Sequence, residues 1–109
     1  MMTTDKLAGL YTVVLRREEE LEIAREILKH TQKTNRLDYD KARRQVDSIR
    51  DELAMAQQVF KAAINRYSKI YRNIPFYRKS KEYTVKLKRK TVTFYFDRRG
   101  IPSFVENSR

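Results

Sequence analysis

Ten apolar or aromatic residues, Tyr39, Ala42, Val46, Ile49, Leu53, Ala56, Phe60, Ala63, Tyr67 and Ile70, follow one another at three- and four-residue steps without a miss. A helix turns every ~3.6 residues, so this spacing lines them along one narrow stripe. A chain with a stripe that long has to form an extended helix and bury the stripe against another. An upstream segment offers the partner. Leu7, Leu10, Val14, Leu21, Ala24 and Leu28 keep the same rhythm, with Arg17 in one expected apolar slot, and Val13 and Ile27 widen the stripe to that of a bundle helix. Thr4 is placed to cap this first helix, with Asp5 in the first turn near the positive end of its dipole.

From His30 to Arg36 there is no large apolar residue, and the phase of the stripe slips by four residues. Such a slip is either a stutter in one continuous rod or the turn of a hairpin. Asn35 as a cap, with Asp38 and Asp40 in the following turn, points to the hairpin, turning near Gln32–Asn35. Two antiparallel, coiled-coil-like helices of about 27 and about 36 residues follow, the second overhanging the first by roughly 10 Å.

Pro75 stops the helical region, since it lacks an amide proton and pushes Ile74 into an extended conformation. The stretch from Phe76 to Lys81 then reads as a basic connector, after which the period of the pattern changes to two. Tyr83, Val85 and Leu87 alternate with Thr84, Lys86 and Lys88, and Val92, Phe94 and Phe96 alternate with Thr91, Thr93 and Tyr95. Pairing Leu87 with Val92 puts Val85 opposite Phe94 and Tyr83 opposite Phe96, so that one register gathers the apolar set on one face. Lys88-Arg89-Lys90-Thr91 is then a four-residue tip. Asp97-Arg98-Arg99-Gly100 reads as the next turn, and Ile101 to Val105 as a short third strand that Pro102 confines to an edge. So small a sheet needs helices to pack on. The expected fold is therefore α+β and mostly α: a helical hairpin over 1–73, then a basic β-hairpin or three-stranded antiparallel sheet over 74–109, packed on the end of the second helix.

Chemistry is nearly excluded. The lone His30 lies in the presumed turn, and no nucleophile, base and orienting group stand together. Glu18-Glu19-Glu20 and Asp51-Glu52 sit among bases at helical spacing, as solvated helix faces do, rather than as paired catalytic carboxylates. With no cysteine and a single histidine, no metal site is expected; nor is a cofactor, because Gly9 and Gly100 are too far apart for a phosphate loop. The expectation is a binding protein without enzymatic activity. No apolar run approaches the ~20 residues of a membrane span, and the N-terminus has no signal-peptide pattern, so the expected location is intracellular, cytoplasm or nucleus, with no membrane partner.

Charge carries the functional signal. The chain has 25 Lys and Arg against 14 Asp and Glu, and the excess is concentrated: residues 71–109 hold 11 bases and 3 acids. Nine of the twelve aromatic residues lie from Tyr67 onward, and cations interleaved with flat rings suit phosphate neutralisation and base stacking. Candidate binding residues are Arg78, Lys79, Lys81, Lys86, Lys88, Arg89, Lys90, Tyr95, Arg98 and Arg99. Tyr83, Phe94 and Phe96 belong to the core by the register argument, whereas Tyr95 shares the polar face with Lys86, Lys88 and Thr93. The same cations could instead protect a sheet edge from aggregation. The first expectation is an accessory or regulatory protein that binds nucleic acid, RNA or DNA, through the β arm. The alternative is a protein–protein interaction module, an inhibitor or scaffold that clamps an acidic surface of a larger machine. Small alanines along the seam, with more stripe than the first helix covers, also suggest a homodimer or a helical partner.

Overall fold

The structure, a computed structural model, describes residues 4–31, 35–71, 81–97 and 100–108, with side chains except at 70, 71 and 104–108. Two helices, α1 (Thr4–His30) and α2 (Arg36–Tyr71), precede three strands, β1 (Tyr83–Lys86), β2 (Lys90–Phe96) and β3 (Pro102–Ser108). The helices form the expected antiparallel hairpin. Leu21, Ala24 and Leu28 pack with Val46, Ile49 and Leu53 near its turn, while Leu7, Leu10 and Val14 share a second cluster with Phe60 and Ala63. Asn35 caps α2 as expected: its carbonyl accepts the Tyr39 N–H at 3.0 Å, and its side chain is engaged with Asp38. Residues 32–34, Pro75 and the connector 76–80 lie outside the described residues.

The first helix differs from its sequence reading in which side is wide. Val13 and Ile27 are 43% and 52% exposed. The second buried line runs along the opposite flank, through Ala8, Tyr11, Leu15 and Glu19, again at three- and four-residue steps. This line meets the sheet. Tyr11 stacks on Phe60 of α2 (5.1 Å between centroids) and stands edge-on to Phe94 of β2 (4.8 Å). Phe96 and Tyr83 complete a group of five rings that ties α1, α2 and the sheet together. Such ring pairs add about 0.5–1.5 kcal/mol each beyond the burial of their surface. The apolar face of the sheet thus closes one core over the first half of α1 and the second half of α2.

The sheet is antiparallel in the order β1-β2-β3. Val85 pairs with Val92 and Tyr83 with Phe94, two residues away from the expected register. A slip of two keeps every side chain on its face, so hydrophobic alternation alone could not separate the two pairings. The Leu87 N–H donates to the Lys90 carbonyl at 2.8 Å, so the tip is Lys88-Arg89 rather than four residues. The turn after β2 is as expected: the Gly100 N–H donates to the Asp97 carbonyl and the Ile101 N–H to Asp97 Oδ1. Gly100 has a φ of 78°, and a Cβ there would stand 3.1 Å from Tyr67 Cδ1 and 3.3 Å from Ile64 Cγ2, so glycine also lets this turn approach α2. The Asp97 N–H donates to the Ile101 carbonyl. Bonded and non-bonded pairs alternate in an antiparallel ladder, so Phe96 and Pro102, the next pair, are non-bonded and the Pro102 nitrogen points away from β2. The missing N–H of this edge proline leaves the ladder intact. β3 is longer than the strand expected over 101–105.

Candidate functional site

The β1–β2 tip is the natural place for a cationic site to project, because Lys86, Lys88, Arg89 and Lys90 cluster there. Instead it is held down on α1. The Glu19 carboxylate accepts the backbone N–H groups of Lys88 and Arg89, one on each oxygen, at 2.7 and 3.0 Å. Glu19 is only 6% exposed, which corrects its reading as part of a solvated helix face. The cause lies in the turn. Two-residue hairpin tips match the twist of their strands when at least one residue has φ above zero, and no described residue other than glycine does. The N–H groups of both residues in a two-residue tip have no partner in the ladder whatever the turn type, and a carboxylate with two oxygens supplies one.

Arg89 is tied by its side chain as well. Its guanidinium makes a two-pronged contact with Glu26, at 2.7 and 2.5 Å. This pairing holds the Glu26 carboxyl below, and the Arg89 guanidinium above, their ordinary values. Glu22 and Glu19 add to the negative field around Arg89. At the other end of β1, Lys81 lies 3.2 Å from Asp5 Oδ1, and the Tyr83 hydroxyl is 2.8 Å from both Asp5 Oδ1 and Thr4 Oγ1. The Tyr83 and Lys81 hydrogen bonds lower the Asp5 carboxyl, while burial is the first cause that raises the Tyr83 phenol. Arg89 and Lys81, both expected in a binding patch, thus face acids of α1.

The other side of the sheet is different. Thr84, Lys86, Thr91, Thr93, Tyr95 and Ser103 occupy register positions on the face turned from the helices, and Glu82, exposed just before β1, is next in the same alternation. Tyr95 is 41% exposed, and Lys86 and Thr84 are exposed beside it. The Thr84 and Thr93 hydroxyls meet across the strands at 3.1 Å. Lys88 has an exposed side chain at the tip, and Lys90 is partly buried. Lys86 and Tyr95 are therefore brought to one face, whereas Lys81 and Arg89 are drawn to α1. Arg78, Lys79, Arg98 and Arg99 lie outside the described residues.

The chain matches no family model, and neither a curated protein nor a solved structure is significantly similar to it.

Sequence reasoning missed two parts of this arrangement. The hydroxyls of Thr84, Thr91 and Thr93 were visible as the polar half of the alternation but carry no charge to mark them as part of a site. Glu19 carried a weaker signal: it falls in step with Ala8, Tyr11 and Leu15, a line recognisable only once a second layer on α1 is assumed. Among the described residues, no three His, Cys, Asp or Glu side chains are grouped to hold a metal ion. No helix among them is long and apolar enough to cross a membrane.

Proposed function

We propose that this is a non-enzymatic protein that binds nucleic acid on the outer face of its C-terminal sheet, with Lys86, Lys88 and Tyr95 as the first contacts. One observation carries this reading: the helix-turned side of the sheet meets Asp5, Glu19 and Glu26, while the outward strand positions combine a lysine, an exposed ring and several hydroxyls, with the exposed Glu82 just outside the start of β1. A polyanion approaching a chain whose last 39 residues hold 11 bases and 3 acids is attracted to that segment, where Lys86 and Lys88 are exposed. Lys86 and Lys88 would supply affinity by neutralising phosphates, while the ring and hydroxyls would engage bases.

Fluorescence anisotropy with labelled oligonucleotides over a salt series tests it. Binding should weaken as salt rises, and K86A/K88A should flatten the dependence of log affinity on log salt by about 0.7–0.9 for each phosphate that is no longer neutralised. No oligonucleotide binding at physiological ionic strength, with a protein partner that survives nuclease treatment but not K86A/K88A, would favour the interaction module instead.

A second role for the helices has its own support. Met55 and Val59 of α2 are 67% and 52% exposed, one turn apart, and Val13 of α1 is 43% exposed. Ile49, Leu53 and Ala56 of the seam are only half-buried. Self-association or capture of a partner helix along the hairpin would cover this surface.

A further inference from the structure

Given a nucleic-acid ligand, as proposed above, we infer that it is a single strand laid across the outer face of the sheet, with an unpaired base stacked on Tyr95, and that the β1–β2 ribbon does not enter the groove of a duplex. A two-stranded ribbon reads a duplex by placing its strands in the major groove, about 12 Å wide, whereas β2 here is flanked on both sides in a broader three-stranded face. Here both N–H groups of the tip are bound by a nearly buried carboxylate, and the Arg89 fork is closed on Glu26. The tip is also on the wrong side of the electrostatic field. A phosphate entering beside Arg89 meets Glu19, Glu22 and Glu26 within one stretch of α1, so Arg89 does not make a phosphate site at the tip.

The open face has the features that unpaired nucleotides use. A duplex buries the flat faces of its bases in the stack and presents phosphates and groove edges. A single strand exposes base faces, and one aromatic ring on a sheet engages them whatever the sequence. Tyr95 is such a ring: half-exposed on the central strand, opposite Ser103 of β3 and beside Thr93. The hydroxyls around it both donate and accept, which suits base edges of either kind. Lys86, on the same face of the neighbouring strand, pairs with Thr91, four residues along β2 from Tyr95, and is placed for a phosphate further along the ligand, while the position opposite Tyr95 on the β1 side is Glu82.

The test uses the full chain with labelled oligothymidine, oligouridine and a duplex of matched length. Either single strand should bind about tenfold or more tightly than the duplex, and Y95A should weaken it by roughly 5- to 150-fold, the range for one stacked base, with duplex binding unchanged. Y95F should retain most of the affinity, because the ring rather than the hydroxyl does the stacking. R89A should leave single-strand affinity within about twofold while lowering the melting temperature, since its partner is Glu26 and not the ligand. Circular dichroism confirms that Y95A is folded. Duplex binding as tight as single-strand binding, or an equal weakening of both in Y95A, would overturn the single-strand inference and leave nucleic-acid binding standing. Binding of neither form would remove both.

Discussion

At the scale of single residues, Glu19 and Gly100 do the most that a substitution table would not expect. Glu19 sits in a run of three glutamates, but its carboxylate completes a turn 69 and 70 residues away. Removing it strands two part-buried backbone donors, and hydrogen bonds to charged groups are worth about 1.5–3 kcal/mol each. E19A should therefore destabilise the chain by roughly 2–4 kcal/mol in urea unfolding, while E18A and E20A change stability by about 0.5 kcal/mol or less. Gly100 combines a φ of 78° with a site where a Cβ would stand only 3.1 Å from Tyr67. G100A should cost about 1–3 kcal/mol through backbone strain and displacement of that ring, read in the same unfolding measurement.

The β1–β2 hairpin raises the question of register at the scale of elements. Thr84 faces Thr93 here, whereas the pairing expected from the alternation would set it opposite Tyr95. The 84–93 pair is of the non-bonded kind, since the bonded pair Leu87–Lys90 fixes the alternation, and its Cα atoms lie about 4.5 Å apart, within disulfide reach. T84C/T93C should oxidise spontaneously to a disulfide detectable by gel mobility, and T84C/Y95C should not. Hydrophobic patterns specify faces and leave steps of two residues degenerate; the choice between them was made at the tip, by a carboxylate on another element. That is why the strands, their faces and the helix bounds were legible in the sequence and the register was not. The two ties of the hairpin to α1 also set its response to pH. Asp5 and Glu26 have carboxyls held below their ordinary values, so their support is present at neutral pH and is lost in acid, as pH falls through those lowered values. Tyr83 has a raised phenol, so its neutral hydroxyl supports the bond to Asp5 until pH rises past about 10. Amide exchange of β1 should accelerate outside that window before the helices respond, and E26Q should blunt the acid limb. Both carboxylates are exposed, so added salt should reduce the effect.

The whole molecule is a two-helix lever with a sheet fastened along one side of its first half. The hairpin was legible because the seam slips by four residues at Asn35–Tyr39 with no large apolar residue from His30 to Arg36, and because Asn35 has the side chain a helix start needs. What was hidden was the second buried flank of α1. Tyr11 and Leu15 are ordinary neighbours in a sequence window, and only the sheet, more than 60 residues downstream, turns that flank into an interior. Spin labels at Leu10 and Phe60 should report a short distance within one molecule, against roughly 70 Å for a continuous rod. The position of the sheet also bears on how the molecule is made. The contacts that complete α1 span 63 to 79 residues, from Glu26–Arg89 to Thr4–Tyr83. During synthesis, the helix that emerges first therefore waits with one apolar flank uncovered until the strands leave the ribosome. Its last contacts close the longest loops in the fold, so β docking should be the slow step of refolding, trailing the helical signal and leaving α1 the stretch most in need of a chaperone.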